Sequence, residues 1–228
     1  MKSYKKKMLV VFGASVALLG GSAYADVVVV NGVVTATGTH VTYTFDQADL
    51  GLFGPVSGVS ISGDTLSFSP TSFGGTGFNV MVDSLLINVS VNQAYENYEF
   101  TRFDLSEDGR FAAGGTYDAD ATFKVQDDYN PNVNFETLVL DKVVDGTNWG
   151  IDGTVWTQAG WGDGGLFNSA TLNLSNSLIA FGGASAWKDV VTISAQVTPV
   201  PEAETYAMLL VGLGLVGFMA RRRSLSAI

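Results

Sequence analysis

Alternation of apolar and small polar residues constrains the fold of this chain more than any other feature. The alternation runs through VVVVNGVVTATGTHVTYTF, SGVSISGDTLSFSP, ATLNLSNSLIAF and DVVTISAQV, in which Val, Ile, Thr, Phe and Tyr dominate. Because a strand places successive side chains on opposite faces, each segment predicts a strand with one buried face. No stretch before Pro201 requires a helix.

Glycine-rich turns separate these segments. Ser62-Gly63-Asp64-Thr65 predicts a tight hairpin, because Gly63 can supply the positive φ that such a turn needs. Val59 and Ile61 then face the same layer as Leu66 and Phe68. Further turn signals fall at Gly74-Gly75, Gly114-Gly115, Asn130-Pro131, Asp145-Gly146, Gly164-Gly165 and Gly182-Gly183.

These turns divide the body into roughly ten short strands. Two packed sheets bury one face of every strand, so the sequence predicts an all-β fold, an antiparallel two-sheet β-sandwich of the jelly-roll type. A single sheet closed on itself is the second choice. A solenoid is disfavoured because the chain has no fixed repeat period.

The N-terminus predicts export. Lys2, Lys5, Lys6 and Lys7 precede an apolar run at 8–19, and Ala23-Tyr24-Ala25 has the small-x-small pattern of a cleavage site. We therefore predict a signal peptide at 1–25, read by Sec-type export machinery and cut by signal peptidase after Ala25. The alternative, a membrane anchor, needs about 20 apolar residues, and this run has 12.

Charge and cysteine content exclude several classes of function. The predicted extracytoplasmic domain, 26–198, has five basic and 20 acidic residues, a net charge of −15. This balance argues against nucleic acid as a partner and against an anionic membrane surface. It suits a soluble exported protein, with multivalent cation binding as the alternative. The chain has no cysteine, which excludes disulfides, thiolate nucleophiles and cysteine metal sites.

The C-terminus ends in an apolar run closed by arginines. Residues 206–220 carry no charge, and Arg221, Arg222 and Arg223 follow. As a helix the run covers about 22 Å, short of the hydrocarbon thickness of about 30 Å, although arginines can snorkel. The pattern predicts a transmembrane helix at 206–220 with a cytoplasmic tail at 224–228. The alternative is a core helix, which leaves the arginine triplet unexplained.

Val200, Pro201, Glu202 and Ala203, followed by the apolar helix and the arginine cluster, resemble the PEP-CTERM sorting signal of Gram-negative bacteria. The resemblance implies that an exosortase-type membrane protease cuts near the motif and that Pro201 and Glu202 carry recognition. Here the third motif position is Ala203 where the family has proline. The segment 199–223 is the predicted signal.

The resemblance also implies a location. The precursor would sit in the inner membrane with its C-terminus cytoplasmic, and the mature domain would be periplasmic, at the cell surface or extracellular. Proteins with this signal are associated with exopolysaccharide and biofilms. The stretch from Phe45 to Phe73 is similar to other uncharacterised secreted proteins and implies no activity.

One dinucleotide-binding pattern is misleading. Residues 212–217 read G-x-G-x-x-G, but the fingerprint needs a preceding strand and an acidic residue about 20 positions later. The chain ends at Ile228, before such a position. Small residues on a helix that contacts a partner helix explain the pattern.

Two loops offer candidate ligands. Oxygen donors of the kind that calcium takes occur at Asp127, Asp128, Asn130, Asp145 and Asp152. Turn chemistry also explains such clusters. The second loop leads into Trp156 and Trp161, which would form a sugar-stacking platform if exposed, although tryptophans more often anchor a core.

No catalytic constellation is visible. His40 is the only histidine and lies on a predicted strand, where a satisfied or surface role explains it. The sequence therefore favours a structural or adhesive surface protein and not an enzyme. The alternatives are a calcium-dependent carbohydrate-binding module and a carboxylate-dependent glycan hydrolase, which needs only two suitably spaced carboxylates.

Overall fold

The computed structural model describes residues 26–77, 80–112, 115–145, 147–158, 160–162, 165–201 and 203–225. The predicted signal peptide at 1–25, with Ala23 and Ala25, lies outside these residues, as do Glu202 and the end of the predicted tail at 226–228.

The described residues form fourteen strands, built from the alternating segments, and one α-helix at the C-terminal apolar run. The strands are β1 (Asp26–Val30), β2 (Val33–Thr37), β3 (Val41–Asp46), β4 (Val59–Ser62), β5 (Thr65–Phe68), β6 (Gly74–Thr76), β7 (Val80–Val91), β8 (Tyr98–Ala112), β9 (Thr116–Asp127), β10 (Phe135–Asp141), β11 (Val143–Asp145), β12 (Asn148–Trp156), β13 (Ser169–Phe181) and β14 (Ser185–Pro199). Helix α1 is Ala203–Leu225, and 3₁₀ turns lie at Gln47–Phe53, Val56–Gly58 and Gln93–Tyr95.

The strands build two antiparallel sheets. Sheet A has the order β1-β2-β3-β7-β13-β9-β10, and sheet B has the order β11-β12-β8-β14-β5-β4, with β6 also paired to β14. The inward faces pack into one apolar core that includes Phe68, Phe103, Phe123 and Leu172. The predicted all-β, two-sheet antiparallel sandwich is confirmed.

The predicted hairpin is also confirmed. β4 pairs with β5 so that Val59 lies opposite Phe68 and Ile61 opposite Leu66, and all four side chains are buried. Gly63 has a φ of 59°, which is the left-handed conformation that the two-residue turn requires.

The strands are more numerous and longer than the turn signals predict. β8 and β14 each have 15 residues and pair along their lengths. Glycine alone does not end a strand, since Gly109 lies within β8 and Gly153 within β12. β14 also continues to Pro199, one residue beyond the predicted boundary of the domain at 198.

Helix α1 does not belong to the core. Every side chain described on it, at 207–216 and at 218 and 219, is exposed, for example Met208, Leu210 and Phe218. Within the described chain, no helix combines the length and apolarity needed to cross a membrane. The prediction of a transmembrane helix at 206–220 is therefore not supported, because its uncharged run covers only about 22 Å of a layer about 30 Å thick.

Candidate functional site

The C-terminal segment begins where the sandwich ends. Pro199 is the last residue of β14 and pairs with Tyr98 of β8. The backbone N–H of Val200 then donates a 2.8 Å hydrogen bond to the carbonyl of Asn97. Pro201 is exposed, and helix α1 begins at Ala203. Val200 and Pro201 are therefore the described residues between a central strand of the core and a helix that lies outside it.

The glycine pattern at 212–217 lies on this exposed helix. A Cβ added at Gly212 or Gly214 would meet no atom within 4 Å. The positions therefore have open space around them, as a surface for contact with another helix requires. The residues directly before the pattern belong to helix α1 and not to the strand that the dinucleotide fingerprint needs, since β14 ends at Pro199.

Both carboxylate oxygens of Asp127, the first calcium candidate, already accept hydrogen bonds. Its buried carboxylate accepts from the backbone N–H groups of Tyr129 (3.0 Å) and Gly162 (2.8 Å) and from Asn134 Nδ2 (2.9 Å). These donors present N–H hydrogens to both oxygens, and a cation would have to displace them. The carboxylate holds the loop after β9 against the loop around Trp161.

The other calcium candidates are spread over both sheets. Asp128 is exposed and accepts from the hydroxyls of Ser169 and Thr171, the latter at 2.7 Å. The carbonyl of Asn130 accepts from Asn134 N at 2.9 Å. Asp145 ends β11 and Asp152 is exposed on β12, both in sheet B, whereas Asp127 ends β9 in sheet A.

The structure does not bring the two tryptophans into one platform. Trp156 is 61% exposed and has the Arg102 guanidinium 5.2 Å from its ring centroid. Trp161 is 8% exposed and meets Phe167 edge to face at 4.9 Å between centroids. Trp161 therefore anchors the core, and only Trp156 offers a face to solvent.

His40 is held by the β4–β5 turn. Its Nδ1 lies 2.7 Å from Asp64 Oδ2, and its backbone N–H donates to Asp64 Oδ1 at 2.7 Å. Its ring stacks on Tyr98 at 5.6 Å between centroids. Among the described residues, no hydroxyl group bonds to this ring, so the contacts are those of a satisfied structural histidine.

The sequence did not predict two groups of polar residues that the structure brings together. Asp118, Asp120 and Asp141 lie close together where β9 pairs with β10, and Lys142 contacts Asp118. Burial, followed by the hydrogen bond with Asp141, raises the pKa of Asp120. The second group, Lys188, Glu107 and Asn176, is fully buried in the core. Alternation along β9 could have placed Asp118 and Asp120 on one face, but their partner strand is not readable from sequence.

A glycan hydrolase needs paired carboxylates in a cavity. A cavity of 370 Å³ is lined by Glu99, Gln158 and Trp161 among others, and one of 470 Å³ by Gln47, Leu50 and Pro55 among others. Of the described residues, Glu99 is the single carboxylate at the first cavity, and none lines the second. Neither presents the two-carboxylate arrangement of a glycan hydrolase.

The fold and the C-terminal segment define a class of protein: an antiparallel β-sandwich followed by an exposed helix that takes no part in its core. Residues 199–223 match the family model of the PEP-CTERM protein-sorting motif. The chain thus carries the exosortase-substrate signal that its sequence resembles, and this motif indicates an exosortase-sorted surface protein.

Other comparisons give distant similarities. No curated protein matches the chain in sequence. Among solved structures, TmCBM61 in complex with β-1,4-galactotriose is 10% identical, with 60% of this chain and 70% of that chain covered and a TM-score of 0.28. The enzymatically active domain of tailspike protein 4 from bacteriophage CBA120 is 14% identical, with 68% and 18% covered and a TM-score of 0.27.

Proposed function

We propose that the mature sandwich is a structural or adhesive protein of the cell surface or extracellular matrix, without enzymatic activity, in an exopolysaccharide or biofilm setting. An exosortase-type protease separates it from helix α1 after the helix has held the precursor at the inner membrane. Arg221 to Arg223 snorkel to the cytoplasmic surface, which makes up for the short uncharged run and sets the orientation of the helix.

One observation carries this proposal: Pro201, within the matched segment 199–223, lies between a completed β-sandwich and a helix with exposed side chains. β14 ends at Pro199, and the described side chains of α1 make no part of the core. Cleavage near Pro201 therefore removes no core residue. The net charge of −15 on the released domain favours solubility outside the cell.

The test is the fate of the precursor in a strain that carries the sorting protease. Wild-type protein should lose mass and leave the inner membrane, whereas Pro201→Ala combined with Glu202→Ala should stay in the membrane fraction at the larger mass. Pro55→Ala with Glu96→Ala, two exposed positions on the sandwich, is the matched control and should be released normally. Equal release of the wild type and the motif variant would contradict the proposal.

A second candidate function, carbohydrate binding, is favoured by the exposure of Trp156. Its ring is accessible on β12, next to Arg102, Asp104 and Thr154, where Thr154 Oγ1 donates to Asp104 Oδ1 at 2.7 Å. An apolar ring beside polar groups is what sugar stacking uses. A glycan array with and without calcium tests it. Trp156→Ala should abolish any signal, and Val139→Ala, 81% exposed on β10, should not.

A further inference from the structure

A buried polar cluster joins the two sheets. Lys188 of β14 and Glu107 of β8, both in sheet B, form an ion pair in which both side chains are 0% exposed. The same Lys188 Nζ donates a 2.7 Å hydrogen bond to Oδ1 of Asn176, which is buried on β13 in sheet A. An amine, a carboxyl group and a carboxamide thus meet inside the core.

A β-bulge turns Lys188 inward. Val191, Ile193 and Ala195 of β14 are buried, and strict alternation would leave Lys188 on the outer face. The pairing with β8 shifts register between Lys188 and Val190, so that Asp189 is the extra residue. Such an insertion reverses which side chains face the core. The bulge therefore brings the amine to the carboxamide.

Aromatic rings enclose the cluster. Lys188 Nζ lies 5.1 Å from the ring centroid of Phe73 and 5.4 Å from that of Trp149, both fully buried. Trp149 can lie there because Gly109 has no side chain, and a Cβ at Gly109 would overlap the indole. The surroundings of the three polar groups are therefore apolar.

Stability does not explain this cluster. A buried ion pair loses about as much in desolvation as it gains in attraction, and apolar residues often serve better. Two buried atoms of the cluster, Glu107 Oε1 and Asn176 Nδ2, and Nε1 of the enclosing Trp149 have no hydrogen-bond partner among the described residues. Buried polar atoms are rarely left unpaired, so such atoms indicate another role.

The apolar surroundings favour the uncharged forms of the pair. Burial raises the pKa of Glu107, and the nearby Lys188 opposes that shift. Burial lowers the pKa of Lys188, and Glu107 opposes it. Proton transfer from the ammonium to the carboxylate gives an amine with a free electron pair, which is the nucleophilic form of lysine.

We propose that Lys188 and Asn176 form an intramolecular amide bond, with Glu107 as the proton-transfer group. The bond joins Lys188 Nζ to Asn176 Cγ. Because Nζ lies 2.7 Å from Oδ1 and a C=O bond is about 1.23 Å, Nζ is within about 3.9 Å of Cγ. Reactants held at such short range need no encounter step.

The reaction balances without any other reagent. The ammonium of Lys188 first gives one proton to the Glu107 carboxylate. The Nζ electron pair then attacks Cγ, and Glu107 protonates Oδ1. Glu107 next moves one proton from Nζ to Nδ2, the Cγ–Nδ2 bond breaks, and Nδ2 leaves as ammonia. The carbonyl re-forms as Oδ1 returns its proton to Glu107. The new amide keeps one hydrogen on nitrogen, and Glu107 keeps the remaining proton.

The bond would cross-link sheet A to sheet B. The chain has no cysteine, so no disulfide can do this. β14 is also the strand that leads directly into the sorting segment. The cross-link would therefore attach this strand covalently to sheet A.

Tryptic mapping of the denatured full-length chain tests the proposal. Trypsin cuts after an unmodified lysine, so an uncrosslinked chain yields a fragment that begins at Val143 and ends at Lys188. The proposal predicts no cut after Lys188 and a longer fragment from Val143, lighter than its sequence by one ammonia. Fragmentation should place the bond between Asn176 and Lys188. Normal cutting after Lys124 and Lys142 is the internal control.

Three variants and two contrary results complete the test. Lys188→Met and Asn176→Leu remove a reacting group, and Glu107→Gln removes the proton relay, so none should lose ammonia at this site. Cutting after Lys188 at unaltered mass in the wild type overturns the proposal, whether or not the variants fold. Loss of ammonia with normal cutting after Lys188 would indicate a succinimide at an asparagine and also overturns it.

Discussion

The backbone N–H of Val200 donates to the carbonyl of Asn97 at 2.8 Å, and among the described residues Val200 is the last one that is hydrogen-bonded to the sandwich. Pro201 is already exposed. The protein thus changes from a paired central strand to an exposed connection within two residues. A protease that cuts near the motif would find its site at the edge of the folded domain.

A chain covering residues 26–200 should fold without either end. The described side chains of α1 are exposed, so its removal uncovers no core surface. We expect a β-rich monomer by circular dichroism and size-exclusion chromatography. A chain ending at Gln196 is the matched control. It loses the pairs that Val197, Thr198 and Pro199 make with β8 and should unfold at a lower temperature. Aggregation of the 26–200 chain, relieved by restoring α1 without detergent, would contradict the exposed position of the helix.

Tyr43→Phe should weaken the contact between the two sheets. The buried hydroxyl of Tyr43 on β3 donates to the Asp64 carbonyl at 2.7 Å and accepts from Ala195 N at 3.0 Å. Its loss should lower the free energy of unfolding by about 1–3 kcal/mol. Tyr129→Phe is the control, since Tyr129 is 64% exposed, and should change stability by less than about 0.5 kcal/mol. Equal urea midpoints for both variants would refute the bridging role.

Asp127→Ala should destabilise the domain whether or not calcium is present. The change removes the acceptor of the Tyr129 and Gly162 N–H groups and one of the two acceptors of Asn134 Nδ2, which also donates to the Gly160 carbonyl. An unsatisfied buried group such as the Gly162 N–H costs about 1–3 kcal/mol. Asp127→Asn keeps one acceptor oxygen and should lose less. Thermal melts in calcium and in chelator measure this. A wild-type melting temperature that rises with calcium, and a variant that does not respond, would assign the carboxylate to a cation instead.

Asp120→Asn should stabilise the protein at neutral pH and not at acidic pH. Asp120 lies opposite Asp141 on the paired strand, and the pKa of Asp120 is raised by burial and by the hydrogen bond with Asp141. A raised carboxyl pKa means that the folded state binds this proton more tightly. The contribution of Asp120 to stability is therefore present at low pH and lost as pH rises from the usual aspartate pKa, about 3.9, through the raised value.

The expected gain at pH 7 is about 0.2–1 kcal/mol, the usual size of a cross-strand charge effect. Urea unfolding of the wild type and the variant at pH 7 and pH 3 measures it. Asp26→Asn, at an exposed position opposite Thr37, is the control and should show no such difference. An equal gain for Asp120→Asn at both pH values would mean that charge is not its cause.

Local patterns in the sequence determined the class of fold and the sorting signal. Alternation identifies half-buried strands wherever it is regular, and Gly63 identifies the β4–β5 turn, because both depend on neighbours in the chain. The sorting signal at 199–223 is likewise contiguous. The apolar composition of 206–220 also predicted a transmembrane helix, which the structure does not support. Apolar composition indicates a membrane-spanning segment only when the run is long enough.

The tertiary structure alone decided which polar groups meet. Glu107 and Lys188 are 81 positions apart and come together because β8 and β14 are neighbours in sheet B. Asn176 reaches them because sheet A packs on sheet B. The alternation that identifies β14 would turn Lys188 outward, and the bulge at Asp189 reverses it. Strand pairing and register are set by contacts between residues far apart in the chain, so local periodicity cannot reveal a one-residue shift. Here that shift determines whether the Lys188 amine is solvated or lies beside the Asn176 carboxamide in the core.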